Sequence, residues 1–366
     1  MLSPMDDHLL HQIAEPFRHV GTSDRNFYDR YYFNMHSCSD EILVVMGMGQ
    51  YPNLSVQDAF ELVRHGRKHT VVRGSRVLGD RMDSSVGPMR VEVIEGLKKL
   101  RFIVEPNEHG IEMDVCWEGS IPAFEEPRHY IRRHGRTLYD SVRFVQTGFW
   151  TGTLSAGGKS YEVTPDRWWG ARDHSWGVRP VGEAEPPGIH AGELSMDGMW
   201  NYAPMQFEDY SILYICNERN NGERPLEEAV RIWRDPTREA EWLGRPESEH
   251  VFRKGTRYVE RSTIRFPEAP GGGLEVKVTP MIECYVGFGT GYGFEADWRH
   301  GMYQGELVVQ GVEFDVVDDA ETLWGLCDNV GRFELGSGEV GYGLWEFGFF
   351  GPFDRYGLTV YNEGAA

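Results

Sequence analysis

The sequence has few cysteines, and no hydrophobic run is long enough to cross a membrane. Five cysteines in 366 residues are scattered, odd in number, and never form a Cys-x-x-Cys pair. This pattern predicts reduced thiols and a cytoplasmic protein rather than a disulfide framework. No apolar run approaches about 18 residues, and residues 1–11 lack a charged segment followed by an apolar one. We therefore expect neither a membrane span nor a signal peptide.

Positive charge is also scarce. The chain has 37 Lys and Arg against 57 Asp and Glu, which gives a net charge of −20. A field of this sign repels nucleic acid and anionic membrane surfaces. Neither is expected as a partner.

Motifs for metals, nucleotides and nucleophiles are missing. His65 and His69 have helical ligand spacing, but Gly66 and the neighbouring cations argue against a metal site. The glycine-rich residues 287–293 fit neither a Rossmann fingerprint nor a P-loop, and strand bending at a barrel corner explains them better. No Gly-x-Ser-x-Gly elbow is present. The sequence thus predicts no metal and no cofactor.

Glycine and aromatic residues are abundant. There are 44 glycines, above a typical share of about 7%, and aromatics make up 13% of the chain. Short helices are predicted at 5–15 and 56–63, where apolar residues have helical spacing. The other periodic segments predict strands. They are 27–33, 41–50, 70–77, 89–95, 99–105, 110–117, 137–151, 211–218, 228–234, 257–266, 273–288, 303–317 and 338–350.

Closely spaced strands with little helix between them favour antiparallel barrels over βαβ units. Residues 182–188 are rich in Pro and Gly and form the best linker candidate. We therefore predict two β-rich domains, 1–185 and 186–366.

Residues 166–180 mix tryptophans with ionisable groups more densely than any other stretch. In an extended strand, Trp168, Arg172, His174 and Trp176 share one face, and Trp169, Asp173 and Ser175 share the other. One interpretation is a structural Arg–Asp pair in a barrel wall, with tryptophan as core filler. The other is a functional site.

The string Asp173-His174-x-Trp176-Gly177 resembles the signature of a superfamily of double lipocalin-like barrels. That superfamily includes AttH-like proteins, carotenoid 1,2-hydratases and fungal Diels–Alderase-type cyclases. Further strings resemble an uncharacterised bacterial branch, and together they span most of the chain. They are residues 163–173, Tyr51-Pro52-Asn53, residues 87–92, Glu126-Pro127-Arg128 and residues 341–346. The resemblance implies a mostly β fold of two lipocalin-like antiparallel β-barrels with few short helices.

Two classes of function remain open. In the first, the chain is a cofactor-independent acid–base enzyme, a hydratase, isomerase or cyclase acting on a hydrophobic isoprenoid- or polyketide-like molecule. Burial among tryptophans would keep Asp173 protonated as the acid, with His174 as its partner or as the base. If Asp173 instead stays ionised beside Arg172, His174 is the better acid. In the second class, the chain is a lipocalin-like carrier that performs no chemistry.

The remaining candidates would bind the substrate. The π faces of Trp168, Trp169 and Trp176 would stabilise a carbocation. Arg172 belongs to the same cluster, which favours the enzyme over the carrier. Arg90 and Glu92 share one face of a predicted strand, either a barrel interior or the solvent side.

One geometric expectation follows from strand alternation. Asp173 and His174 cannot enter one cavity unless a bulge or turn intervenes. Gly170 and Gly177 bracket the pair. We therefore predict an irregular strand that turns both polar groups toward one pocket lined by Trp168 and Trp176.

Overall fold

A computed structural model describes residues 2–181, 188, 198–293, 295–320, 323, 325–359 and 364–365. In these residues the regular structure is almost entirely antiparallel strand, arranged in two curled sheets. The predicted mostly β, lipocalin-like fold is confirmed. The helical segments described are short 3-10 turns at Pro4–Asp7, Pro52–Leu54 and Asp354–Tyr356.

The first sheet holds most of the amino-terminal half. Its strands are β1 Phe27–His36, β2 Ile42–Tyr51, β3 Val56–His65, β4 Lys68–Val77, β5 Ser85–Val86, β6 Met89–Glu95, β7 Lys99–Val104, β8 Ile111–Gly119, β9 Phe124–Glu125, β10 His129–Arg133, β11 Arg136–Ala156, β12 Lys159–Val163 and β13 Trp169–Val178. Their order is β4-β3-β2-β1-β13-β11-β8-β7-β6-β5, and β9, β10 and β12 pair with β11. Because β5 contacts β3 and β4, the sheet curls into a nearly closed barrel.

The second sheet is built from the carboxyl-terminal half. Its strands are β14 Gly198–Gln206, β15 Tyr210–Glu218, β16 Leu226–Trp233, β17 Glu241–Trp242, β18 Glu247–Phe252, β19 Val259–Phe266, β20 Leu274–Pro280, β22 Cys327–Leu335 and β23 Val340–Phe350. The order is β17-β16-β15-β14-β23-β22-β20-β19-β18. A further strand described in this half, β21 (Leu307–Asp315), pairs with β4 of the first sheet.

The pattern of side chains along each strand shows where it lies. In β8, buried Ile111, Met113, Val115 and Trp117 alternate with more exposed residues, as in a strand with one face in a barrel core. By contrast, β2 is buried on both faces along nearly its whole length. Its second face packs against the other sheet, and the core between the sheets includes Leu43, Val45 and Leu213.

The second predicted helix is wrong. Residues Val56–His65 form β3, and its first nine residues are buried. A strand buried on both faces has no period-2 alternation, so its apolar residues can match helical spacing by chance. The polar residues of β3 belong to this interior: Asp58, for example, makes an ion pair with Arg30 at 2.6 Å.

The first predicted helix is shorter than expected. Only Pro4–Asp7 is helical, capped by Ser3, and the chain then bends away. The Asp6 carboxylate accepts hydrogen bonds from the backbone N–H groups of Ser3 and Phe17 and so closes a loop. Leu9 and Leu10 stay exposed, so no burial stabilises a longer helix.

Three sequence expectations concern the chain as a whole. The five cysteines are free thiols. No helix in the described part of the chain is long and apolar enough to span a membrane. The predicted linker, apart from Gly188, lies outside the described residues, so the boundary near residue 185 stays a prediction.

Candidate active site

A cavity of about 540 Å³ lies between the two sheets. Its walls come from β1, β10, β11 and β13 on one side and from β14 and β23 on the other. The loop that includes residues 291–293 also contributes. Aromatic side chains form much of the lining: Tyr28, Tyr32, Tyr139, Trp200, Tyr202, Tyr292 and Phe350. The lining thus combines apolar ring surface with many charged groups, among them Arg30, Arg143, Asp173 and Glu346.

Two carboxyl groups meet at the wall that the second sheet contributes. Asp328 on β22 and Glu346 on β23 are cross-strand partners. The Tyr32 hydroxyl donates to Asp328 Oδ2 at 2.5 Å, and the Trp200 indole N–H donates to Glu346 Oε1. Burial raises the pKa of Asp328 to about 6. Burial, and then the charge of Asp328, raises the pKa of Glu346 well above its usual range.

These two carboxyls therefore titrate as a pair that retains a proton near neutral pH, because two adjacent buried anions repel each other. Glu346 lines the cavity, whereas Asp328 lies behind it. The shared proton is thus available at the cavity wall through Glu346.

Asp173 on β13 is a further carboxyl group in the cavity lining. Burial raises its pKa to about 6. The positive charge of Arg143 lowers this pKa, and the carboxyl of Glu346 raises it. A group with this pKa changes protonation state close to physiological pH. Asp173 can therefore accept or donate a proton within the cavity.

Arg143 on β11 supplies a fixed positive charge near these acids. It forms an ion pair with Glu126, and its guanidinium lies 4.6 Å from the centre of the Tyr202 ring. Glu126 also lines the cavity. The positive charge of Arg143 limits how far the pKa of Asp173 rises.

Cationic and aromatic groups line another part of the cavity. Arg30 Nη1 donates to Asp58 Oδ1 at 2.6 Å and to the Tyr51 hydroxyl at 2.8 Å. Arg179 lies 4.4 Å from the centre of the Tyr28 ring. The charge of Arg30 is thus balanced within the protein by Asp58.

His300 completes this part of the lining. Its Nδ1 lies 3.3 Å from Arg179 Nη2, and its Nε2 lies 3.1 Å from the Thr290 carbonyl oxygen. Because an arginine only donates and a carbonyl only accepts, Nδ1 is the acceptor and Nε2 carries the proton. Burial, followed by the charges of Arg30 and Arg179, holds the pKa of His300 well below its usual range. His300 is therefore neutral.

The predicted irregularity in the signature strand is wrong. β13 pairs with β1 and with β11 in one unbroken antiparallel register through Asp173 and His174. The two side chains therefore point to opposite faces. A Cβ on Gly170 would lie 2.0 Å from the Asn34 carbonyl oxygen, and one on Gly177 would lie 2.0 Å from that of Asp140. Both glycines allow close strand packing rather than a break.

His174 lies on the face of β13 away from the cavity. Its Nε2 is 2.7 Å from Asp29 Oδ1, and Arg81 also binds Asp29, at 3.1 Å. The Tyr31 ring centre lies 4.5 Å from that of His174, and exposed Trp176 packs edge-on against the same imidazole. This His–Asp–Arg arrangement connects β13, β1 and the loop after β4.

Arg172 shares that face. Its Nε donates to Gln146 Oε1 at 3.0 Å, and its guanidinium lies 5.0 Å from the centre of the Phe144 ring. The Arg172–Asp173 pair of the structural interpretation is not formed, because the two side chains point in opposite directions.

The other two tryptophans of the signature also lie away from the cavity lining. Trp168 is buried in the core of the first barrel, edge-on to Tyr161. The Trp169 indole N–H donates to the Pro165 carbonyl at 3.2 Å, and its ring packs against Phe149.

Arg90 and Glu92 lie on the solvent side of β6, where they form an ion pair at 3.0 Å with both side chains about 40% exposed. Met89 and Val91 occupy the buried face. Of the eight residues singled out from the sequence, Asp173 alone lines the described cavity.

Comparison with known proteins adds a family and a fold. Residues 2–359 match the Family of unknown function (DUF8625). The chain belongs to this family. No curated protein matches the sequence.

Solved structures share the architecture of this DUF8625 protein. Kievitone hydratase from Nectria haematococca is 12% identical, with a TM-score of 0.52 over 90% of this chain and 93% of that chain. A putative AttH from Nitrosomonas europaea is 11% identical, with a TM-score of 0.56 over 89% and 93%. At these identities the likeness shows the fold alone. The lipocalin-like fold that the sequence resemblance implied is confirmed.

Sequence reasoning missed most of the residues that form the cavity, although its strings contained several of them. Glu346 ends the string 341–346, Glu126 begins Glu126-Pro127-Arg128, and Arg179 falls within 166–180. The available signal for the cavity residues was that three strings, separated in sequence, each contribute a residue to one cavity. The glycine-rich residues 287–293 follow the end of β20 as a loop, and Gly291, Tyr292 and Gly293 line the cavity.

Proposed function

We propose that this DUF8625 protein is a cofactor-independent acid–base enzyme that hydrates, isomerises or cyclises a hydrophobic small molecule in the cavity between its sheets. Glu346 is the proton donor and Asp173 is the group that takes a proton back. This retains the acid–base interpretation of the sequence but moves the acid from Asp173 to Glu346 and gives His174 no chemical step.

The observation that carries the proposal is a pair of adjacent carboxyls, buried Asp328 and half-buried Glu346, at an aromatic cavity wall. A carboxylic acid that protonates an alkene must be neutral and shielded from water. Burial, and then the charge of the adjacent Asp328, raises the pKa of Glu346 well above the usual range, which supports a neutral Glu346. Tyr32 and Trp200 orient the two carboxyls by donating hydrogen bonds to them.

A hydration would proceed in balanced steps. The carboxyl proton of Glu346 forms a C–H bond as the alkene π bond breaks, which leaves a carbocation and the Glu346 anion. Aromatic rings of the cavity lining can stabilise the positive charge, and Tyr202 is the ring that Arg143 already engages at 4.6 Å. Water adds its oxygen to the cation, and the Asp173 carboxylate takes the released proton. Return of this proton to Glu346 restores the starting state.

The same groups support the other two reactions. If Asp173 removes a proton from a carbon next to the cation, the product is an isomer with a shifted double bond. If a second double bond of the same molecule attacks the cation before Asp173 acts, the product is a ring. Among the three, hydration is the first to test, because a hydratase of this fold is known.

The test is product formation in D₂O with a panel of terpenoid, steroid and polyene compounds, analysed by mass spectrometry. Addition of D₂O indicates hydration, and gain of carbon-bound deuterium without it indicates isomerisation or cyclisation. Glu346→Gln should lower the rate by about 10²–10⁴-fold. The control is Glu334→Gln, which changes an exposed glutamate that pairs with Arg332 on β22.

Two results would contradict the proposal. Turnover that survives Glu346→Gln would exclude Glu346 as the acid. Tight binding of a panel compound without any product would favour the carrier function instead.

A further inference from the structure

One positive charge in the cavity has no carboxylate paired with it in the described part of the chain, although it lowers the pKa of Asp173. Arg30 is paired with Asp58, and Arg143 is paired with Glu126. Arg179 lines the same cavity, yet within the described part of the chain it makes no ion pair. Its Nε is buried and has no hydrogen-bond partner among those residues.

The guanidinium of Arg179 is held in place by uncharged groups. It stacks over Tyr28 at 4.4 Å, lies 5.8 Å from the centre of the Tyr292 ring, and donates from Nη2 to His300. His300 supplies no negative charge, because it is a neutral imidazole with its proton on Nε2. A positioned arginine with a free buried donor is a receptor for an anionic oxygen.

We propose that the substrate is an amphiphile whose acidic oxygen group, a carboxylate or an ionised enol or phenol, is bound by Arg179 while its apolar body extends toward Glu346. This rests on the proposed acid–base function, since Glu346 is the reacting end. Leu326, Phe350 and Trp200 provide the apolar surface for the body.

An acidic group fits this position better than a neutral carbonyl or hydroxyl. Arg179 is partly buried, and a cation removed from water is stabilised when an opposite charge accompanies it. Hydrogen bonds between two charged groups are also about twice as strong as those between neutral groups. The chain has a net charge of −20, so long-range attraction does not bring anions to it. Selection for an anion must therefore come from the arginines that line the cavity, and Arg179 is one whose Nε is buried without a hydrogen-bond partner in the described residues.

Two fluorescent probes with the same aromatic body separate charge from apolar fit. They are 8-anilinonaphthalene-1-sulfonate, which carries an anionic group, and N-phenyl-1-naphthylamine, which lacks it. The unmodified protein should bind the sulfonate probe more tightly. Arg179→Met should lower the affinity for the sulfonate probe about ten- to hundredfold. It should change the affinity for the neutral probe by less than about twofold. Arg179→Gln, which keeps hydrogen-bond donors, serves if the methionine variant fails to fold.

The controls locate the effect. Arg90→Met removes an exposed arginine that lies outside the cavity lining and should change neither affinity. Glu346→Gln should keep the preference for the sulfonate probe even though it removes the proposed acid. Equal affinity of the unmodified protein for the two probes, or an equal loss of both in Arg179→Met, would overturn the acidic-group proposal. Neither probe measures turnover, so that result would not contradict the proposed acid–base function, which the product assay tests separately.

Discussion

Asp173 illustrates how a single residue couples protonation to stability. Its carboxyl pKa in the folded protein is about 6, above the usual value of 3.8. The folded state therefore binds more protons than the unfolded state between these two values, and stability falls as pH rises through them. A shift of this size corresponds to about 3 kcal/mol by pH 7 for a fully buried group.

Replacement of Asp173 by asparagine should remove this penalty. We expect the free energy of unfolding of Asp173→Asn, relative to the unmodified protein, to increase between pH 4 and pH 8 by about 3 kcal/mol at most. Chemical denaturation at both pH values measures the difference, with exposed Asp166→Asn as the control. A variant that is instead destabilised by about 3–5 kcal/mol at pH 8 would identify Asp173 as a structural counter-charge of Arg143.

At the scale of single elements, the sequence predicted strands well where one face meets solvent. The predicted strand 89–95 coincides with β6, whose buried Met89 and Val91 alternate with more exposed neighbours. The prediction was wrong at β3, which was expected to be a helix. Burial of this strand on both faces removes the alternation on which strand prediction depends. In β13 the two faces of the signature were assigned correctly from alternation, and the error was to add a break at its glycines.

The glycines of β13 give a prediction of their own. Gly170→Ala would place a methyl group 2.0 Å from the Asn34 carbonyl oxygen and 2.9 Å from Trp150 Nε1. Because neighbouring strands hold both atoms, we expect a loss of about 1–3 kcal/mol or more in the free energy of unfolding. Gly96→Ala, where the added Cβ meets nothing within 4 Å, should be close to neutral. Thermal melts of the two variants make the comparison, and equal melting temperatures would show that β13 has room to move.

At the scale of the whole molecule, the site arises where the two sheets meet. Tyr32 on β1 and Asp328 on β22 are 296 residues apart in sequence and form one hydrogen bond. No local sequence pattern predicts such a contact, because each residue by itself is an ordinary residue of a β-strand. The resemblance of residues 341–346 to a family string could have identified Glu346 as a candidate site residue. Its position beside Asp328, however, depends on the register between β22 and β23.

The shared core between the sheets predicts that they unfold together. Leu213 on β15 is buried in the cluster that also contains Leu43 and Val45 of β2, and β21 from the second half of the chain pairs with β4. Loss of packing in this shared core should destabilise both sheets together. Leu213→Ala should cost about 2–5 kcal/mol, the usual range for a buried leucine.

Hydrogen exchange measured by mass spectrometry in the intact chain distinguishes joint from separate unfolding. After Leu213→Ala, amides of β2 in the first sheet and of β23 in the second should lose protection by the same factor, because both report the same global opening. Leu97→Ala, at an exposed leucine in the turn between β6 and β7, should leave both unchanged. If protection falls in β23 while β2 keeps its own, the second sheet unfolds without the first, and the shared core does not couple them.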